Sequence, residues 1–325
     1  MSLIVQDLSY IHPNKDFLFQ NITFTIPAGE KCAIVGNNGV GKSTLLRILA
    51  GKIPPATGTI VCDDILYMIP QHFGQFDGMS VAEALGLADK LRALSIILDG
   101  RGTEKEYEQL NDEWDIPERL TEAFAKWQIG HIAPDMLMGN LSGGEKTRVF
   151  LAGQDIFKPS IVLMDEPTNH LDTTGRALVY EDIAHTNRTT VIVSHDRTLL
   201  NRLSAIYEMS PTGMQFYPMN YDAYRETVDA ETKAKVTRLE NQQKELAKAE
   251  KSARKTIERQ QKHASRGEKQ NAKKCVARIS MGLLRNKSEA TTSRLNKVQQ
   301  EKMEAMRRDI HEIRSSINEY TEIKI

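Results

Sequence analysis

The feature that most constrains this chain is the stretch GNNGVGKST at positions 36–44, which fits the pattern GxxxxGK[ST] at every required position. The preceding residues 31–35, KCAIV, are apolar and predict a buried strand. The following residues 43–50 predict a helix that stops at Gly51. A strand, a glycine loop and a helix in this order predict a phosphate site, where backbone N–H groups and the helix N-terminus face the anion.

The loop residues have separate predicted tasks in holding a nucleoside triphosphate. Lys42 would reach the β- and γ-phosphates, and the hydroxyl of Ser43 would ligate magnesium. Tyr10, upstream of the loop, has a ring that can stack on adenine, and core packing explains it equally well. The remaining loop positions expected to contact the nucleotide are Gly36, Asn37, Asn38, Gly39, Val40, Gly41 and Thr44.

Carboxylates and a histidine follow two further predicted strands. The apolar residues 161–164 end in Asp165 and Glu166, and the strand predicted at 189–193 precedes His195. Ligands of open α/β sheets lie at the carboxyl ends of the strands, so these side chains are expected at the phosphate site. There Asp165 would hold magnesium through water, Glu166 would polarise the attacking water, and His195 would approach the γ-phosphate.

Two shorter signals belong to the same predicted chemistry. Gln71 follows the strand predicted at 65–69 and is placed to sense magnesium or the attacking water, which is a weak signal by itself. The motif LSGGE at 141–145 opens a predicted helix, in which a serine cap and two glycines expose backbone N–H groups. This second phosphate-binding device comprises Ser142, Gly143, Gly144 and Glu145.

The remainder of the first 221 residues predicts strands at 3–9 and 21–26 and a compact helical subdomain at about 78–155. Trp114 and Trp127, both within this subdomain, are expected to anchor its core rather than to contact a ligand. The length of 325 residues allows two domains.

The composition of the chain limits its expected location and partners. No apolar run approaches the ~18 residues of a membrane span, and no basic-then-apolar secretion signal opens the chain. Three scattered cysteines predict neither a disulfide frame nor a metal site, so a cytoplasmic location is expected. Charge is divided unevenly, because residues 222–325 carry 25 Lys and Arg against 16 Asp and Glu, whereas residues 1–221 carry 18 against 27. A basic appendage on an acidic body favours a polyanionic partner, and a charged helix exposed to solvent without any partner is the alternative.

Taken together, the phosphate loop, the LSGGE motif, the strand ending in Asp165 and Glu166, and His195 resemble the ATP-binding cassette superfamily over roughly residues 2–220. The resemblance implies an α/β fold, namely a P-loop ATP-binding cassette with a helical subdomain, and an ATPase with ATP and Mg²⁺ as cofactors. It also implies a composite site, in which the LSGGE motif of a second cassette completes the site. Asp172 would couple the two sites.

The C-terminal third, 222–325, predicts a long antiparallel α-helical hairpin. It contains almost no Gly or Pro, and two apolar stripes with heptad spacing flank a polar segment. The first stripe is Val236, Leu239, Leu246, Ala253 and Ile257, and the second is Met303, Met306, Ile310, Ile313 and Ile317. Residues 251–278 hold ten basic and two acidic side chains and no aromatic one, which favours contact with a phosphate backbone over base stacking.

The sequence EPTNHLD at 166–172 and this hairpin resemble the ABC-F group, whose helical linker joins two cassettes and reaches ribosomal or transfer RNA. The resemblance implies a ribosome-associated translation or antibiotic-protection factor that does not insert into membranes. It further implies that this sequence is the N-terminal part of a longer protein, with a homodimer as the alternative. The ATPase subunit of a membrane ABC transporter and a DNA-associated ATPase remain the competing functions.

Overall fold

The computed structural model describes residues 2–12, 16–62, 65–271, 297–298, 300–311 and 313–314. The chain divides into two compact units, Met1–Arg225 and Glu226–Lys324. The boundary predicted from the sequence lies between residues 221 and 222.

The described residues of the first unit form nine strands. They are β1 Leu3–Ile11, β2 Phe17–Ile26, β3 Lys31–Val35, β4 Thr57–Val61, β5 Leu66–Ile69, β6 Ile161–Asp165, β7 Thr189–Val193, β8 Ala205–Ser210 and β9 Gly213–Tyr217. The strands predicted at 3–9 and 21–26 are therefore confirmed as β1 and β2, and both are longer than predicted. The α-helices up to residue 271 are α1 Lys42–Leu49, α2 Val81–Leu85, α3 Ala88–Leu98, α4 Glu104–Leu110, α5 Ile116–Lys126, α6 Gly143–Phe157, α7 Thr173–His185, α8 Arg197–Leu200 and α9 Tyr221–Asn271, which continues into the second unit. Residues 300–311 are also helical.

Two sheets carry the first unit. An antiparallel sheet has the order β2-β1-β4, and a six-stranded sheet has the order β5-β6-β7-β3-β8-β9. In the larger sheet β5, β6, β7, β3 and β8 are parallel, and only β9 runs antiparallel to its neighbour. The P-loop α/β fold predicted from the sequence is confirmed, and the parallel strands bring their carboxyl ends to one edge.

The central parallel strands are mostly apolar because both of their faces are covered. All five residues of β6 and all five residues of β7 are buried. Side chains of β3, α1 and the small sheet share one core cluster, which includes Ile34, Leu45 and Phe19. The phosphate loop between β3 and α1 is thus held from both ends by buried elements.

The helices α2 to α6 lie in the region predicted as the helical subdomain, and the two tryptophans of that region differ. Trp127 is 1% exposed, as expected of a core anchor, and its Nε1 donates to Asp155 at 2.8 Å. Trp114 is 45% exposed, so its predicted place in the core is wrong. The composition of the segment did not reveal that Trp114 lies outside the packed face.

Part of the predicted hairpin lies within the described residues. On α9 a seam with heptad spacing consists of the half-buried Leu239, Gln242, Leu246 and Ala249 and the buried Ala253. The 3,4 spacing predicted for Met303, Met306, Ile310 and Ile313 also matches their partial burial. Val236 and Ile257 are 38% and 41% exposed, so their predicted place in the seam is wrong. Arg307 donates to Glu250 at 2.8 Å, which ties residues 57 positions apart. Ile317 lies outside the described residues.

We predict that Gly153→Ala lowers the stability of the fold, because Gly153 of α6 packs against the ring of Tyr67. A Cβ at residue 153 would lie 2.1 Å from Tyr67 Oη, and this hydroxyl is held by the carbonyl of Phe150 at 2.9 Å. Relief of the overlap should cost about 1–3 kcal/mol of unfolding free energy, measured by urea denaturation. Gly130→Ala is the control, because a Cβ at residue 130 would meet no atom of a non-adjacent residue within 4 Å. Equal stability of both variants would contradict this packing.

Candidate functional site: a phosphate loop facing two carboxylates

The loop at 36–44 adopts backbone angles that require its glycines. Gly36, Gly39 and Gly41 have φ values of 148°, 80° and 105°. A Cβ on Gly36 would lie 2.4 Å from the carbonyl oxygen of Met209, and one on Gly41 would lie 2.8 Å from Leu18 Cδ2. Substitution of either glycine would therefore strain the loop and also cause a clash with Met209 or Leu18, which pack against it.

Lys42 closes the loop on itself. Its Nζ donates to the carbonyl oxygens of Gly36 and Asn37, at 2.8 and 3.0 Å. Burial lowers the pKa of this ammonium, and the nearby Glu166 and Asp165 oppose that change. The charge of Lys42 is thus held over the loop, where the phosphates of a bound nucleotide would lie. Val40 is buried, Asn38 and Gly39 are exposed, and Thr44 is half-buried.

Ser43 and Asp165 connect α1 to the end of β6. The Ser43 hydroxyl donates to Asp165 Oδ1 at 3.0 Å, and Asp165 is fully buried. Burial raises the pKa of this carboxyl group. Among the described residues, its second oxygen, Oδ2, has no hydrogen-bond partner. A buried carboxylate oxygen without a partner beside a serine hydroxyl is a donor set that fits Mg²⁺, which prefers oxygen ligands.

Glu166 and His195 form a pair beside this donor set. Glu166 Oε1 lies 3.3 Å from His195 Nε2, and Glu166 Oε2 accepts a hydrogen bond from the His195 backbone N–H at 3.3 Å. Burial raises the pKa of Glu166 to about 7, and the neighbouring charge of Asp165 adds to that effect. Burial also lowers the pKa of His195, as does Lys42. Glu166 itself has a left-handed backbone, φ 53°, and its N–H donates to the carbonyl of Val193 at 2.8 Å.

The sheet register explains why these distant segments meet. Asp165 pairs with Val193 across β6 and β7, and Ile69 of β5 pairs with Met164 of β6. Gln71 therefore lies beyond the same sheet edge and is half-buried. The charge of its neighbour His72 partly opposes the increase that burial causes in the pKa of Asp165. The sequence did not identify His72, since a single histidine after a strand carries no pattern.

Tyr10 lies near the loop through one intervening ring. Its ring centroid is 6.2 Å from that of Phe19, and Phe19 Cδ1 would lie 3.0 Å from a Cβ at Gly41. Tyr10 is half-buried and also contacts His12 edge-on at 5.9 Å. The Tyr10 ring is partly exposed, and its stacking on adenine stays a prediction.

The LSGGE motif forms a rigid helix start. Ser142 caps α6 by accepting from the Glu145 N–H at 3.3 Å, and Glu145 Oε2 accepts from the Ser142 N–H at 2.8 Å. Bonding to the Ser142 hydroxyl and to His131 lowers the pKa of Glu145 to about 2. A Cβ at Gly143 or Gly144 would lie 3.3 or 3.0 Å from His170, so the glycines allow close packing there.

An ion pair joins α6, the helix that begins at the LSGGE signature motif, to the segment that follows Asp165 and Glu166. Asp172 caps α7 by accepting from the Gly175 N–H at 2.8 Å, and Arg148 of α6 donates to the same oxygen at 2.8 Å. The Gly175 N–H and Arg148 keep the pKa of Asp172 below its usual range. Arg148 and His170 were not singled out from the sequence, because their roles depend on contacts across the fold.

This arrangement defines a class: a parallel-sheet P-loop protein with a glycine loop and paired carboxylates at one sheet edge. A family model described as ABC transporter matches residues 19–169. The energy-coupling factor transporter ATP-binding protein EcfA1 of Geobacillus kaustophilus is 31% identical over 60% of this chain and 70% of its own length. The chain belongs to the ATP-binding cassette family, as its motifs predicted, and carries that family's ATPase domain.

Other relatives are longer than the matched region. Tylosin resistance ATP-binding protein TlrC of Streptomyces fradiae is 29% identical over 70% of this chain and 46% of its own length. ABC transporter F family member 4 of Arabidopsis thaliana is 31% identical over 71% of this chain and 31% of its own length. The chain thus spans less than half of these two curated relatives.

Solved structures agree on the fold. A nucleotide-free ATP-binding cassette from an ABC transporter is 17% identical, with a TM-score of 0.52 over 70% of this chain and 94% of that chain. An ATP-bound bacterial Atm1-family ABC exporter is 21% identical, with a TM-score of 0.54 over 70% of this chain and 40% of that chain. Within the described residues, no helix has the length and apolarity of a bilayer span.

We predict that Glu166→Gln flattens the fall in stability of the ligand-free protein between about pH 4.5 and pH 7. In this window the folded state keeps the Glu166 proton that the unfolded state has lost, so wild-type stability decreases as pH rises. At pH 8 the variant should be more stable by roughly 1–3 kcal/mol, measured by urea unfolding across pH. Glu118→Gln, an exposed carboxylate, serves as the control. A wild-type and variant difference that does not change with pH would contradict the raised pKa.

Proposed function

We propose that this chain binds MgATP at the edge of the larger sheet and hydrolyses it. The loop of 36–44 would hold the phosphates through its backbone N–H groups. Lys42 would exchange the carbonyl oxygens of its own loop, at 2.8 and 3.0 Å, for phosphate oxygens, because these carry full charge. The ring of Tyr10 would stack on adenine.

Ser43 and Asp165 would hold the magnesium ion, with Gln71 at its open side. Magnesium supplies charge neutralisation between the phosphates when it is bound. The Asp165 oxygen that lacks a partner among the described residues supports this assignment. Binding would also hold Asp165 in its ionised form, against the effect of burial.

Glu166 would act as the general base that takes a proton from the attacking water. A base with a pKa of about 7 is suited to proton transfer near neutral pH. His195 would orient Glu166 through the two 3.3 Å contacts and approach the γ-phosphate with its neutral ring. Glu166→Gln would keep the shape and remove the base.

A second cassette would complete each site. ATP-binding cassettes work in pairs, and the serine and glycines of one signature would face the nucleotide of the other. Here the signature residues Ser142 to Glu145 contact His131 and His170, whereas the phosphate loop contacts Asp165, Leu18 and Phe19. The second cassette would come from a longer form of this chain or from a second copy.

We further propose an ABC-F role in the cytoplasm, in which α9 contacts ribosomal or transfer RNA during translation or antibiotic protection. The observation that carries this proposal is a stripe of exposed basic side chains on α9. The stripe is Lys251, Lys255, Arg259, Lys262 and Arg266. These residues recur every three or four positions, so they share one face of the helix. Lys273, Lys274 and Arg278, which were also predicted to make this contact, lie outside the described residues, as does the side chain of Lys269.

The stripe lies on a different face from the seam. At 100° per residue, Lys255 and Lys262 project about 120° or more away from Ala249 and Ala253, and Arg259 projects about 80° from Ala249 and about 120° from Ala253. Because α9 is 51 residues long, it extends about 75 Å at 1.5 Å per residue. A helix of this length with basic residues towards its C-terminal end is suited to reach a phosphate backbone at a distance.

The second candidate function is the ATPase subunit of a membrane transporter. The identity to EcfA1 over 70% of that protein favours it. That relative is named as a transporter ATP-binding protein, and the basic stripe has no evident task in such a subunit. The two functions predict that the chain binds different partners, ribosomes or membranes, in the sedimentation experiment described next.

We predict that Glu166→Gln protein sediments with ribosomes when ATP is present. ATP would bring two cassettes together and favour ribosome binding, and without the base this ATP-bound state would not be ended by hydrolysis. Neutralising Lys255, Arg259, Lys262 and Arg266 to glutamine should weaken this binding by about tenfold or more in moderate salt, with a shallower salt dependence. Neutralising Lys233, Arg238, Lys244 and Lys248 is the matched control, since these exposed residues carry the same charge elsewhere on α9.

Membrane vesicles and duplex DNA are parallel baits in this assay, and a longer natural form of the chain is tested beside this one. ATP-dependent sedimentation with ribosomes, lost in the stripe variant only, would support the proposal. Sedimentation with vesicles or DNA instead, from both forms of the chain, would overturn the ribosomal role and leave the ATPase intact. ATP turnover of the wild type, measured in the same preparations, tests that activity separately.

A further inference from the structure

An exposed aromatic pair lies on the helical region of the first unit, and neither of its residues is assigned to the nucleotide. Tyr107 of α4 is 51% exposed and Trp114 is 45% exposed. Their ring centroids are 6.1 Å apart, with planes inclined by 59°. Asn111 and Asp112 bring the rings together, because their left-handed φ values of 51° and 56° reverse the chain between them.

Such exposure is costly for large aromatic side chains, which contribute most when they are buried. Trp127, in the same region, shows the usual outcome, since it is 1% exposed and its indole N–H has a carboxylate partner. The paired exposure of Tyr107 and Trp114 therefore indicates a contact surface rather than a defect of packing.

The charge around the pair is strongly acidic. Residues 98–122 contain nine Asp and Glu and three Lys and Arg. Two of the three basic side chains are already paired, Arg101 with Asp99 and Arg119 with Glu113. In the part of the chain that the structure describes, no ion pair is found for the exposed side chains of Glu104, Glu108 and Asp112.

These acids are close to the two aromatic residues in the sequence. Glu104 precedes Tyr107 by three residues on α4, so both lie on one helical face, and Glu108 is adjacent in the chain. Asp112 precedes Trp114 by two residues. We name Glu104, Tyr107, Glu108, Asp112 and Trp114 the acidic aromatic patch.

Two independent features of the patch attract the same kind of group. Exposed Trp and Tyr faces bind cations through the ring quadrupole, and arginine most often, because its planar guanidinium also stacks. Carboxylates bind the same guanidinium through paired hydrogen bonds. A nucleic acid would be repelled by the acids, and a purely apolar partner would leave them without counter-charges.

We propose that the acidic aromatic patch docks an arginine-rich protein segment. One guanidinium stacks on Trp114 or Tyr107, and neighbouring cations pair with Glu104, Glu108 and Asp112. This contact is separate from the basic stripe of α9, and it takes a partner of the opposite charge. It does not depend on the proposed ribosomal role.

The test uses the full chain and a nine-residue arginine peptide as the probe. Acrylamide quenching of tryptophan emission reports on Trp114, because Trp127 is almost fully buried. The peptide should shield Trp114 and lower the quenching constant in a saturable way. A glutamate peptide of equal length should leave the quenching unchanged.

Variants separate this site from diffuse attraction between opposite charges. Glu104→Gln with Glu108→Gln should weaken peptide binding by about tenfold, whereas Glu226→Gln with Glu231→Gln changes the net charge equally and should weaken it less than about twofold. Calorimetry should show a similar loss for Trp114→Ala and near-normal binding for Trp114→Tyr, which keeps an aromatic face. Thermal unfolding checks that each variant is folded.

Unchanged quenching at saturating peptide would overturn the proposal. Equal weakening by the two glutamate pairs would also overturn it, because attraction would then be spread over the whole acidic surface. If Trp114→Ala does not fold, the quenching result with the Glu104 and Glu108 pair decides the question alone.

Discussion

The hydrogen bond from Ser43 to Asp165 is the contact on which the rest of the site depends. It joins two segments 122 residues apart, one at the start of α1 and one at the end of β6. Because Asp165 is buried, the bond positions a carboxylate that would otherwise be unfavourable in the core. Glu166 follows Asp165 directly in the chain, and its own burial together with the charge of Asp165 raises its pKa.

The parallel sheet makes this contact possible. β6 lies next to β7, and β7 next to β3, so the phosphate loop, the carboxylates and His195 emerge at one edge. The α6 and α7 helix starts are tied to each other elsewhere, by Arg148 and Asp172. Within one chain, the phosphate loop and the LSGGE motif thus rest on different contacts.

The two charged surfaces of the chain have opposite preferences. In the two proposals, the basic stripe on α9 contacts phosphates, and the acidic aromatic patch around Trp114 contacts guanidinium groups. A zero net charge therefore conceals two surfaces that can recognise different partners. Large complexes of nucleic acid and basic protein contain both phosphates and guanidinium groups. The two proposals are nevertheless independent, because each surface is tested with its own probe.

The sequence by itself determined the class, because GxxxxGK[ST], LSGGE and the carboxylate pair are local patterns with a local physical reason. It also determined most of the α9 seam, where Leu239, Leu246 and Ala253 follow the heptad. Only the tertiary structure decided that Val236 and Trp114 are exposed, that His170 packs on the signature glycines and that Arg148 bonds Asp172. Burial and pKa depend on neighbours from distant parts of the chain, and no spacing within a segment encodes which neighbours these are.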